Sequence, residues 1–92
     1  MNKYIIERNL PGAGKASPQE LAAISAKSLG VLRELGPDVQ WVHSYVTADK
    51  IYCVYIAKNA ELVREHARRG GFPVDVVHEV RTTIDPTTAA TH

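Results

Sequence analysis

Apolar positions change their period several times along the chain, and each change marks an element. Tyr4-Ile5-Ile6, flanked by Lys3 and Glu7, reads as a short strand that ends in the turn cluster Asn9 to Gly14. "SPQE" then supplies a helix start: Ser17 as N-cap, Pro18 at the first helical position and Glu20 three residues after the cap. Leu21, Ile24, Ser28, Leu32 and Leu35 follow at three- and four-residue spacing and form one stripe, and Gly36-Pro37 stop the helix. The predicted span is 18–35.

"VQWVHSYV" and "KIYCVYIA" are rich in β-branched and aromatic residues and are joined by "TADK", which predicts a β-hairpin. "NAELVREHARRGG" gives a second helix over 59–69, capped by Asn59 and stopped by Gly70-Gly71. "VDVVHEVR" alternates as a last strand, and residues 85–92 form a polar tail expected to be mobile. The order β-α-β-β-α-β with right-handed crossovers is that of a ferredoxin-like α+β sandwich over residues 1–84. Its four antiparallel strands carry two helices on one face.

Pairing Val46 with Ile51 sorts the hairpin into two faces. Val42, Ser44, Val46, Ile51, Cys53 and Tyr55 fall on the face expected beneath the helices. Trp41, His43, Tyr45, Tyr52, Val54 and Ile56 fall on the other. That second set is a large aromatic patch of a kind that soluble monomers rarely expose. Stacking two sheets face to face would bury it, so a homodimer is expected.

Composition narrows the function. With 92 residues, a net charge of +1 and both signs interspersed, the chain lacks the basic footprint of a nucleic-acid or anionic-membrane binder. The local cluster "REHARR" (64–69) reads as a solvated helix face. One cysteine, Cys53, excludes an intrachain disulfide and every zinc spacing built on paired cysteines, and it reads as a buried thiol. "MNKYIIERN" is far short of a signal peptide, which points to the cytoplasm.

The stretch "NLPGAGKAS" (9–17) has the look of a phosphate-binding loop. Such a loop needs a Gly five positions before the final Gly-Lys and a hydroxyl residue after the Lys. Here Asn9 and Ala16 occupy those places. Gly12 and Gly14 are better read as turn residues with positive φ.

The remaining chemistry lies on the strands. His43 on the aromatic face is a candidate metal ligand or proton carrier, with Glu7, His78 and Glu79 as further donors on neighbouring strands. Imidazoles with carboxylates suit Ni²⁺, Co²⁺ or Zn²⁺. His66 falls at the edge of the second helix's apolar side and reads as a hydrogen-bonded core histidine.

"ERNLPGA", "WVHSYVTADKIYCVYIA" and "EHARRGGFP" together resemble a family of small bacterial proteins grouped under a domain of unknown function, one member of which binds nickel. The likeness runs from about Lys3 to Pro86. It implies a ferredoxin-like dimer and Ni²⁺ coordination by surface histidines and acids, with sequestration as the role. His43 lies inside the quoted motifs; His78 and His92 do not. The leading reading is a nickel-binding homodimer without catalysis. Its rivals are a small dimeric enzyme or ligand-binding protein using a cleft between sheet and helices, and an interaction module built on the aromatic face.

Overall fold

A computed structural model of the protein describes residues 1–90; His92 lies outside them. The elements are β1 (Asn2–Asn9), α1 (Pro18–Leu35), β2 (Val39–Val46), β3 (Lys50–Ala57), α2 (Ala60–Gly70) and β4 (Val76–Glu79), with short 3₁₀ turns at Ala13–Lys15 and Pro86–Ala90. Four antiparallel strands lie in the order β2-β3-β1-β4, the ferredoxin-like arrangement. The last strand is only half as long as the alternation of "VDVVHEVR" predicts.

Local chemistry sets the helix ends. The Ser17 hydroxyl accepts from the Glu20 N–H at 3.1 Å while the Glu20 carboxylate accepts from the Ser17 N–H at 3.0 Å, a complete capping box. Asn59 caps α2 by accepting from the Leu62 N–H at 2.9 Å. Gly71 closes α2 in the left-handed region, φ 70°, where a side chain would be strained.

The core lies between the sheet and the helices. Tyr4 and Ile6 of β1, Val39 of β2, and Ile51, Cys53, Tyr55 and Ala57 of β3 all point into it, with Val63 of α2 above them. Tyr4, Ile6 and Arg8 alternate on that side of β1, which carries the Arg8 side chain into the interior.

The glycine-rich loop is not a phosphate cradle. Its backbone N–H groups are already engaged by the hairpin turn: Leu10 N–H donates to the Asp49 carbonyl at 2.9 Å, Gly14 N–H to the Ala48 carbonyl at 3.0 Å, and Gly12 N–H to the Asp49 carboxylate at 3.0 Å. Gly12 has the expected positive φ, 79°, but Gly14 does not. Gly14 is needed instead for close approach, because a Cβ there would press on the Ala48 and Thr47 backbone.

One strand face differs from the expected alternation. Val46 does pair with Ile51, but a bulge between Trp41 and His43 leaves Val42 unpaired, and Trp41 sits opposite Tyr55. The extra residue inverts the faces upstream of it. Trp41 therefore turns beneath the helices, donating its indole N–H to Ser44 Oγ at 2.9 Å, and Val42 is exposed. Trp41 is removed from the expected dimer face.

Candidate functional site

The uncovered sheet face carries Ile5 and Glu7 of β1, His43 and Tyr45 of β2, Tyr52, Val54 and Ile56 of β3, and Val76 and His78 of β4. Tyr45 is 60 % exposed, and the His43 and Tyr45 rings meet edge-on with centroids 4.9 Å apart. The face is thus apolar and aromatic at its centre and polar at its margins.

Of the four predicted metal donors, the fold joins two. Glu7 and His78 lie on adjacent strands, and His78 Nε2 is 2.9 Å from Glu7 Oε2. The His78 hydrogen bond is the main cause holding the Glu7 carboxyl below its ordinary pKa, and Lys50, with Nζ 3.7 Å from Glu7 Oε1, lowers it further. Glu7 is therefore a carboxylate at neutral pH and an available oxygen donor. His43 stands in the same cross-strand row as His78, through Val54 and Ile5, but three strands away. At about 4.8 Å per strand that is roughly 14 Å, too far for both imidazoles to bind one ion within a chain. Glu79 pairs with Tyr4 and so belongs to the opposite face, where Arg81 lies 3.8 Å away. Among the described residues no group of three His, Cys, Asp or Glu side chains converges.

The helix side holds a different constellation. Between α1 and the sheet lies a cavity of about 260 Å³, walled by Leu21 and Ile24 of α1, Trp41, Tyr55 and Phe72, with Arg8 at its edge. Arg8 is only 5 % exposed. Its Nε donates to Cys53 Sγ at 3.5 Å, Nη2 to the Tyr55 hydroxyl at 3.3 Å, and Nη1 to the Pro73 carbonyl. Burial pushes the Tyr55 hydroxyl up to about 12, so it stays protonated. His66 is fully buried against Tyr55 and Phe72, and its Nε2 lies 2.9 Å from Ser28 Oγ. Desolvation first and the Arg8 charge second bring its pKa down to about 4. The core reading of His66 is met on one nitrogen; Nδ1 has no partner among the described residues.

Arg8 is the residue that the sequence reading passed over. The signal was there, since Tyr4, Ile6 and Arg8 share a strand face that the first two make apolar. The charged side chains of "REHARR" form the expected solvated network, while His66 and Ala67 within it are buried: Arg68 and Arg69 donate to Glu65 and hold its carboxyl at about 2. No described helix is long and apolar enough to cross a membrane.

No curated protein matches the chain. The crystal structure of SCO4226 from Streptomyces coelicolor A3(2) is similar in fold, with a TM-score of 0.75 at 20 % identity, over 89 % of this chain and 99 % of that one. Residues 4–80 match the family model described as "Nickel responsive protein SCO4226-like". With the family model matching from the first strand to the last, the chain belongs to the SCO4226-like family of nickel responsive proteins.

Proposed function

We propose that the protein binds nickel, or a divalent ion of similar preference, on the open face of its sheet, and that it does so as a homodimer. The observation that carries the reading is the Glu7–His78 pair, which presents a carboxylate and an imidazole within 2.9 Å of each other on the sheet face turned away from the helix-side core. Nitrogen and oxygen donors of this kind suit Ni²⁺, with Co²⁺ and Zn²⁺ as competitors. The family's description supports nickel as the ion of interest.

Two donors from one chain are too few for a tight site, and a second copy supplies what is missing. Sheets stack about 10 Å apart. A two-fold axis parallel to the strands reverses the strand order, so that β2 of one chain lies over β4 of the other. Because His43 and His78 occupy the same cross-strand row, that operation sets His43 of one chain at the level of the Glu7–His78 pair of the other. Each dimer then has two sets of His43, His78 and Glu7. The same stacking covers Ile5, Tyr52, Val54 and Ile56, which resolves the exposed apolar face.

Calorimetric titration of tag-free, chelator-treated protein with Ni²⁺ tests the reading, with sedimentation run at the same concentrations. Micromolar binding is expected, about 8 kcal/mol, weakened at least tenfold by His78→Ala or Glu7→Gln and also by His43→Ala. Tight binding by all three variants, or no saturable binding by the parent, overturns the metal reading. A monomer in the presence of saturating nickel overturns the shared site.

A further inference from the structure

The buried cation in the helix-side cavity calls for a counter-ion that the described residues do not supply. A desolvated guanidinium costs several kcal/mol unless an opposite charge answers it. Arg8 is answered only by neutral acceptors: a thiol sulfur, a phenol oxygen and a peptide carbonyl. Among the described residues it forms no ion pair, and no Asp or Glu lines the cavity. A guanidinium has five N–H groups; three are used here, leaving two. A second cation adds to the field, because Lys27 Nζ and the Arg8 guanidinium both lie within 6 Å of the Phe72 ring centre, 5.8 and 5.6 Å respectively. The neighbouring titratable side chains do not offset this charge. Tyr55 stays protonated and His66 stays neutral at pH 7.

The rest of the cavity is mainly apolar, walled by Leu21, Ile24, Trp41 and Phe72, with the Ser28 and Ser44 hydroxyls also in its lining. Its 260 Å³ falls just under the usual range for small-molecule sites, about 300–1,000 Å³. We propose that this cavity binds a small amphipathic carboxylic acid, its carboxylate on Arg8 and its apolar body along α1 and Trp41. The arrangement is that of a charge-assisted, desolvated pair with a hydrophobic tail pocket, which favours Arg over Lys because the fork matches a carboxylate. The site faces away from Glu7 and His78, so the inference does not depend on nickel.

Trp41 is the chain's single tryptophan and lines the cavity, which makes its fluorescence a direct reporter. The probe is 4-phenylbutyrate, titrated into chelator-treated protein beside its uncharged amide, with calorimetry in parallel. The acid should bind saturably and at least tenfold more tightly than the amide. Arg8→Met should bring the two within about twofold of each other, and Arg8→Lys should fall between. The comparison of acid with amide in the parent protein needs no variant, so it stands even if Arg8→Met fails to fold. Equal binding of acid and amide by the parent would mean an apolar hollow in which Arg8 is merely structural, and would overturn the proposal. Absence of binding by both would overturn it as well.

Discussion

Lowering the pH from 7.5 to 5 should destabilise this protein through His66. The ring is fully buried, and its pKa falls to about 4 from an ordinary 6.5. In the unfolded chain His66 takes up a proton as the pH drops through 6.5; in the folded chain it does not until about 4. The unfolded state binds more protons between those values, so stability is complete above 6.5 and declines as the pH falls towards 4. The whole interval is worth about 3 kcal/mol, and about 2 kcal/mol is already lost at pH 5. A domain of this size has roughly 5–14 kcal/mol in total, so the loss is readily measured. Glu7, Glu20, Glu65 and Asp85 also have lowered pKa values, but their contributions disappear only below about 4.5, outside this window. Urea unfolding at pH 7.5, 6 and 5 should show a decline in the parent protein that is largely absent from His66→Gln. His66→Phe serves the same comparison should the glutamine variant prove unstable, since only the pH dependence is compared. Parallel pH dependences in parent and variant would refute the assignment of a neutral buried imidazole.

Other substitutions separate the structural roles. Trp41→Ala removes a partly buried side chain and its bond to Ser44, and should cost about 2–3 kcal/mol in urea unfolding, below the 3–5 of a fully buried Trp. It should leave the sedimentation behaviour unchanged, because the bulge takes Trp41 off the open face; dissociation of an assembled dimer would contradict that. Gly70→Ala places a Cβ against the Phe72 ring, and the overpacking cost of about 1–3 kcal/mol should exceed the helix-propensity gain of about 1. A stabilised Gly70→Ala would mean that Phe72 yields freely. Ser17→Ala breaks the capping box and should cost about 1 kcal/mol by the same measurement; an unchanged midpoint would count against the cap.

The elements whose signals are local were legible in the sequence. Ser17, Pro18 and Glu20 define the start of α1 by chemistry that involves only neighbours, and Gly71 ends α2 the same way. The faces of the hairpin were legible downstream of the bulge and inverted upstream of it. A bulge is one unpaired residue, Val42, and no residue type in "QWVHS" demands it. Gly14 was misassigned for a related reason: its constraint is the backbone of Ala48, which is distant in sequence. The candidate donors were recognised as types but not as a group. Whether Glu7 meets His78 or His43 depends on strand order and register, and the two together place the first pair at hydrogen-bond distance and the second two strands apart.

Glu7 and Arg8 are consecutive, and the pleat sends them to opposite sides of one strand. Glu7 faces the open sheet with His78; Arg8 faces the interior with Tyr55 and Cys53. The sheet between them is covered with paired backbone, so neither side chain can reach the other's surroundings. The two proposed sites are therefore chemically distinct, one offering donors to a cation and the other a cation to a carboxylate. That arrangement makes them separable by single substitutions. Glu7→Gln should weaken nickel binding while keeping the preference for acid over amide, and Arg8→Met should do the reverse. A variant that removed both activities at once would point instead to β1 being displaced. The shared strand is what would then have to be explained, since its pairing with β4 sets Glu7 beside His78 and its pairing with β3 sets Arg8 beside Cys53 and Tyr55.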